Sequence, residues 1–84
     1  MSQLTPREVL TEVVKGLANH PDQVRIEGHV SEHSATFDIY VADEDVGRVL
    51  GKKAANAKAM RTLFGAIYGK LGVRMHLQVI DPRR

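Results

Sequence analysis

Asp45 to Arg61 reads DVGRVLGKKAANAKAMR and predicts two helices separated by a tight break. The first helix is short and mixes apolar with basic residues. Gly51 follows it, where the missing side chain lets the backbone bend and a ligand approach closely. Lys52 and Lys53 come next, and the second helix begins with small residues. Unpaired N–H groups at a helix start, together with lysine charges, can hold phosphate, so the stretch predicts a contact with a phosphate backbone.

The chain before this stretch predicts a helix and a hairpin. Thr5, Pro6 and Glu8 have the spacing of an N-cap, a first helical position and a capping box, and an apolar stripe follows at helical spacing. Residues 23–30 and 36–41 alternate between apolar and polar side chains and are joined by a short polar segment. That pattern predicts an antiparallel hairpin with one buried face, which Val24, Ile26, Gly28 and Val30 share with Phe37, Ile39 and Val41.

The second half of the chain predicts two helices and a third strand. Asp43, Glu44 and Asp45 are interpreted as helix-capping acids, a better explanation than a catalytic carboxylate cluster. The helix after the loop is predicted to run to about Leu71, with Gly72 as its C-cap. Its predicted core face comprises Met60, Leu63, Phe64, Ile67 and Leu71. Alternation over residues 73–79 then predicts a half-buried strand.

These elements give the order α-β-β-α-α-β in a two-layer α+β domain, because strands with one apolar face need helices to cover it. The 84 residues are enough for one domain, with an ordered core predicted over about 5–80 and a short frayed tail over 81–84.

Charge is distributed unevenly along the chain. Residues 1–42 carry three basic and six acidic side chains, a balance of −3, whereas residues 43–84 carry nine basic and four acidic, a balance of +5. A basic half favours a polyanionic partner. The sequence has neither a signal-peptide pattern nor an apolar stretch of about 18 residues, so we expect a cytoplasmic protein that does not enter a membrane.

Several functional classes are disfavoured. Without cysteine, the chain has no disulfides, thiolate chemistry or thiolate zinc sites. His29 and His33 straddle a predicted strand–loop junction, which argues against metal binding by the pair. No serine–histidine–acid arrangement and no complete phosphate-binding P-loop is present. We therefore expect no catalysis, no metal and no cofactor.

The run from Asp45 to Arg61 resembles the helix–GxxG–helix core of a KH domain, a small single-stranded RNA-binding fold, and most resembles the one-domain bacterial KhpA family. The element order is similar to the type II KH arrangement, which implies a three-stranded mixed sheet covered on one face by helices. By position, the resemblance assigns RNA contacts to Gly51, Lys52, Lys53, Ala54, Arg48, Lys58 and Arg61. It implies a base-binding groove among Val46, Val49, Leu50, Ile39 and Val41, and leaves open which of these face the core.

The loop departs from the family pattern at Ala54, where the pattern has glycine. Alanine fits at a negative φ, whereas a positive φ would cost about 1 kcal/mol, and the sequence leaves both open. The resemblance implies a non-catalytic RNA chaperone or post-transcriptional regulator, with family roles in cell shape and division. It also implies a homodimer, or a heterodimer with a KH protein of the KhpB (Jag) type. The alternatives are a protein–protein adaptor with a weakened RNA loop and a ribosome-associated assembly factor.

Overall fold

The structure, a computed structural model, describes residues 5–82. The helices are α1 (Pro6–Leu17), α2 (Val46–Leu50) and α3 (Ala55–Lys70). The strands are β1 (Arg25–Val30), β2 (Ser34–Tyr40) and β3 (Arg74–Val79). Single 3-10 turns cover Pro21–Gln23, Asp43–Asp45 and Lys52–Ala54. The predicted α-β-β-α-α-β order and the α+β class are confirmed.

β2 is the central strand of the sheet, with β1 antiparallel to it and β3 parallel to it. A short turn joins β1 to β2, whereas the chain between β2 and β3 passes through α2 and α3, the kind of crossover that a parallel pair needs. Ile26, Ile39 and Val79 form one apolar row across the three strands. Val30, predicted to share this buried face, lies at the end of β1 and is 70% exposed. The predicted three-stranded mixed sheet is confirmed.

α1 begins with the predicted capping box. Thr5 Oγ1 accepts a hydrogen bond from the N–H of Glu8, and Glu8 Oε1 accepts one from the N–H of Thr5, both at 3.2 Å. Pro6 occupies the first turn, where its missing N–H costs nothing. Leu10 and Val14 then reach the core that the three helices form against the sheet. This helix is scaffold for the elements that follow.

α3 packs on the sheet through only part of the face predicted from the sequence, since Met60 and Phe64 are buried and Ile67 packs against the core. Its buried residues are Ala57, Met60 and Phe64, whereas Leu63 is 58% and Leu71 67% exposed. The core assignment of Leu63 and Leu71 is therefore wrong. Leu63 lies about 100° from Phe64 around the helix, so the same apolar spacing fits two neighbouring faces. Only contact with the sheet selects the face that carries Phe64.

A glycine ends α3, as predicted. Gly72 has a φ of +75°, and its N–H donates to the carbonyl of Gly69 at 3.0 Å. The N–H of Val73 donates to the carbonyl of Tyr68, also at 3.0 Å. These two bonds form a Schellman motif, which satisfies carbonyl groups left without partners at the helix end. β3 begins two residues after the glycine.

The acidic run before α2 lies in a first helical turn, as predicted, but none of its side chains forms a capping hydrogen bond. Asp45 is fully buried, and its Oδ2 accepts a hydrogen bond from the backbone N–H of His20 at 2.8 Å. Within residues 5–82, no hydrogen-bond partner reaches its Oδ1. Asp45 therefore ties the segment between α1 and β1 to the start of α2, the helix that leads into the lysine loop.

An arginine from a helix meets each outer edge of the sheet. The N–H groups of Arg74 and Ile80 donate to carbonyl groups of the β2 segment, so the Leu77 carbonyl points to the outer edge of β3. There it accepts a hydrogen bond from Arg61 Nε at 3.0 Å. On the outer edge of β1, the Ile26 carbonyl accepts from Arg7 Nη2 at 2.7 Å. Side chains that occupy edge carbonyls hinder pairing with a foreign strand.

The predicted frayed tail, 81–84, lies partly outside the described residues, because 83 and 84 are not among them. Within residues 5–82, no helix is both long enough and apolar enough to cross a membrane.

Candidate nucleic-acid interface

The loop between α2 and α3 contains three residues at positive φ. Gly51 has φ +79° and ψ 172°, Lys53 has φ 54° and ψ 33°, and Ala54 has φ 61° and ψ 27°. The question that the sequence left open at Ala54 is thereby answered, because this alanine occupies the left-handed region that favours glycine. Each non-glycine residue there costs about 1–2 kcal/mol, so the loop is held in a strained conformation.

Gly51 occupies a place that admits no side chain. A Cβ built on it would lie 2.7 Å from Asn56 Cγ and 2.9 Å from the backbone nitrogen of Asn56. Its φ and ψ also fall in a region that only glycine adopts readily. The predicted break at this glycine is therefore required both by the conformation of the loop and by the close approach of α3.

The loop presents two unpaired backbone donors. The N–H of Gly51 donates to the Gly47 carbonyl at 2.9 Å, and the N–H of Ala54 donates to the Gly51 carbonyl at 3.0 Å. Within the described part of the chain, the N–H groups of Lys52 and Lys53 have no acceptor, and both residues are exposed. Adjacent free N–H groups in such a turn form a concavity that binds anions, and two lysines add charge to it.

The flanking cations predicted from the sequence lie on both helices beside the loop. Arg48 on α2 and Lys58 on α3 are exposed. Arg61, one helical turn after Lys58, is also exposed, but its Nε is bound to the edge of β3. Arg61 is therefore held in place between the loop and the sheet, a contact that helical spacing alone does not reveal.

A groove of about 700 Å³ runs from the loop to the end of β3. Its lining combines apolar and polar side chains: Leu50, Ala54, Arg61, Gln78, Val79, Ile80 and Asp81. Of the five predicted groove residues, only Leu50 lines it. The structure places Val46, Val49 and Ile39 in the core with at most 1% exposure, so these side chains have no surface to offer a base. Val41 is half-buried and packs against the core.

Sequence reasoning missed the groove wall that β3 supplies and the role of Asn56. Val79 and Ile80 reach the groove because β3 pairs in parallel with β2, which places the end of β3 beside the loop. Asn56 Nδ2 donates to the Arg48 carbonyl at 3.2 Å. The wall follows from the crossover once the sheet order is known, whereas no local pattern indicates the asparagine contact.

Three features define the class of this protein: two helices joined by a glycine-and-lysine loop, a groove beside that loop, and a mixed sheet in the order α-β-β-α-α-β. It is a KH domain of the type II arrangement. The family model described as "KhpA/KhpB, KH domain" matches residues 7–79, and the chain belongs to this family. Families of this kind are built on a binding module and not on a catalytic centre.

Curated relatives align with nearly the whole chain. The RNA-binding protein KhpA of Leifsonia xyli subsp. xyli is 42% identical over 72 residues, which cover 86% of this chain and 92% of the relative. The protein of the same name from Listeria monocytogenes is 38% identical over 74 residues, which cover 88% of this chain and 97% of the relative. The RNA-binding protein KhpA of Streptomyces coelicolor is 35% identical over 77 residues, which cover 92% of this chain and 96% of the relative. No solved structure matches the chain significantly.

Proposed function

We propose that this chain binds single-stranded RNA without catalysing a reaction, through the loop Gly51–Ala54 and the groove beside it. The observation that carries the proposal is the pair of unbonded N–H groups at Lys52 and Lys53, on a loop that also bears two lysine charges. The three relatives described above, similar over most of the chain, are RNA-binding proteins by name, which supports the same ligand here.

The loop would hold two adjacent phosphates of the RNA backbone, one near each lysine. Two backbone donors and two lysine side chains belong to one turn, and α3 begins there with the positive end of its dipole. Arg48 and Lys58 lie on the helices beside the loop, where they would attract the next phosphate along the strand. These contacts are independent of base identity, so they position the strand without reading its sequence.

The groove would receive bases from the strand that the loop holds. KH domains clamp about four nucleotides, and an apolar wall of Leu50, Val79 and Ile80 suits the flat face of a base. The opposite, open face of the sheet is a poorer platform, because its aromatic residue Tyr40 is half-buried and already has the guanidinium of Arg25 4.5 Å from its ring centroid. We therefore assign RNA to the groove and not to the open face.

A titration of the wild-type protein tests this function. A labelled single-stranded RNA of about eight nucleotides, twice the length a KH domain clamps, is followed by fluorescence anisotropy. With about three phosphate contacts, log K is expected to fall with log salt at a slope near −2, or about 16-fold between about 50 and 200 mM salt. An RNA affinity that does not depend on salt concentration would contradict a phosphate-binding loop. If the folded protein bound no RNA, the adaptor function would be favoured.

Ala54→Gly is expected to stabilise the protein and strengthen RNA binding. Glycine removes the positive-φ strain, and the gain is reduced by the larger entropy of the unfolded chain, which leaves about 0.5–1 kcal/mol. Loss of the methyl group also lets a phosphate approach the loop, so we expect about threefold tighter binding. Urea unfolding and the RNA titration measure the two effects.

The matched control is Ala66→Gly, at an exposed helical position of α3. There, glycine is expected to lower the free energy of unfolding by about 1 kcal/mol and to leave RNA affinity unchanged. If Ala54→Gly destabilised the protein as Ala66→Gly does, the strain assigned to position 54 would be refuted.

The surface between α1 and α3 supports the proposed self-association or pairing with a KH protein of the KhpB (Jag) type. Val13 is 37% exposed and Leu63 58%, and both line an apolar pocket of about 230 Å³ between these helices. A second copy would add avidity to a single weak RNA site. Sedimentation equilibrium measures the association, and a chain that stays monomeric at high concentration would remove the homodimer from the proposal.

The biological role that follows is that of an RNA chaperone or post-transcriptional regulator acting in the cytoplasm. A loop that binds the RNA backbone and a groove with an apolar wall of Leu50, Val79 and Ile80 favour binding to many sequences over recognition of one. Roles in cell shape and division, and action as a ribosome-associated factor, stay predictions of the family resemblance. Identification of the RNA that copurifies with the protein, with and without intact lysines at the loop, tests these roles together.

A further inference from the structure

The side chain of Asn56 connects the two ends of the lysine loop. Its Nδ2 donates to the carbonyl of Arg48 at 3.2 Å, from the first turn of α3 to the last turn of α2. That carbonyl belongs to the end of a helix, where carbonyl groups lack intrahelical partners. The bond therefore links the two helices directly, across the residues that carry the free N–H groups.

The same side chain also fills the space beside Gly51. A Cβ on the glycine would lie 2.7 Å from Asn56 Cγ and 2.8 Å from its Nδ2, so the amide group packs closely against the glycine backbone. Asn56 is half-buried and lines the apolar pocket between α1 and α3 together with Met60 and Phe64. Asn56 thus packs against the backbone of the loop at Gly51, and its amide group is hydrogen-bonded to the end of α2.

We propose that Asn56 is a positioning residue for the phosphate-binding loop, a role that rests on the proposed RNA-binding function. Lys53 and Ala54 both adopt left-handed conformations that disfavour side chains, so the loop needs support from its surroundings to keep this shape. Without the bond to Arg48, the loop populates other conformations. The apparent affinity for RNA then falls in proportion to the population that is still competent to bind.

Asn56→Leu tests this role with little change in volume. Leucine keeps the branched shape beside Gly51, is a better helix former, and adjoins an apolar pocket, so we expect equal or higher thermal stability. It has no donor for the Arg48 carbonyl, and loss of one such bond is expected to lower RNA affinity about three- to tenfold. The salt slope should stay that of the wild type, because no charge is lost.

Two further measurements separate positioning from a general structural role. Amide order parameters of Lys52 and Lys53 from NMR relaxation are expected to fall in Asn56→Leu, while those of β2 stay unchanged. Asn19→Leu, which alters an exposed asparagine beyond the end of α1, should change neither the order parameters nor the affinity.

Wild-type affinity in Asn56→Leu would overturn the positioning role and leave the proposed function standing. The positioning role would also be overturned if the RNA affinity of the variant fell only in proportion to its thermal stability. A loss of RNA affinity accompanied by a shallower salt slope would have the same meaning. A wild-type protein that bound no RNA at low salt would overturn the proposed function and this role with it.

Discussion

Replacement of Lys52 and Lys53 with aspartate is expected to lower the affinity for single-stranded RNA by more than about 25-fold at about 0.1 M salt. Two of about three phosphate contacts disappear, each with a slope of about 0.7 in log K against log salt, and the new carboxylates repel the backbone. The salt slope should accordingly fall from about −2 to about −0.7. Fluorescence anisotropy with the same labelled RNA measures both quantities.

The fold should survive this change. Both lysines are exposed and form no ion pair within residues 5–82. Aspartate tolerates the left-handed region of Lys53 better than most residues do. Lys70→Asp/Arg74→Asp makes the same change in charge at the far end of α3, about 24 Å from the loop along a helix of this length. Circular dichroism checks the structure of both variants.

Comparison of the two double variants locates the RNA site. Loss of binding in the loop variant alone places the site at the loop, whereas equal losses in both would indicate attraction by the net charge of the protein. Wild-type affinity in the loop variant would move the site elsewhere. Retained binding to a protein partner, with RNA binding lost, would show that partner and RNA occupy different surfaces.

Gly51→Ala is expected to lower the free energy of unfolding by about 2–4 kcal/mol. A backbone at φ +79° and ψ 172° costs a side-chain-bearing residue about 1–3 kcal/mol. The new methyl group would also lie 2.9 Å from the backbone nitrogen of Asn56, a contact that requires α3 to shift. In a domain of this size, we expect the thermal midpoint to fall by about 4–8 °C for each kcal/mol lost.

Gly69→Ala provides the control for the glycine substitution. Gly69 lies in α3 with nothing within 4 Å of an added Cβ, so alanine there should raise the free energy of unfolding by about 0.5–1 kcal/mol. Urea denaturation followed by circular dichroism compares the two variants. Equal stability of the two would mean that the loop relaxes around a side chain at position 51 and that the close approach of Asn56 is unimportant.

Local signals in the sequence predict those parts of the fold that local contacts determine. The capping box at Thr5 and Glu8 joins residues three apart, and Gly72 supplies a positive φ to bonds within its own turn. Each is recognisable in a short window because its partners lie in that window. The alternation in β2 is equally reliable, since a strand between two neighbours buries a full row of side chains on its covered face.

The predictions that failed depend on contacts between distant residues. Leu63 fits the apolar spacing of α3, yet the orientation of that helix is set by the sheet. Asp45 reads as a capping acid, but its partner is the backbone of His20, 25 residues earlier. Val46, Val49 and Ile39 are core residues because the helices close over them, and the groove takes its wall from β3 instead. The positive φ of Ala54 is likewise invisible in the sequence, which shows only that glycine is absent.

The arginines at the two edges of the sheet bear on how this domain can be combined with others. Arg7 and Arg61 each occupy a carbonyl at the border of a small three-stranded sheet. Copies joined end to end in one polypeptide would therefore tend to remain separate domains, because the formation of one continuous sheet requires displacement of an arginine at each junction. A modular unit of this kind can be duplicated or appended to a larger protein with a low risk of misfolding between neighbours.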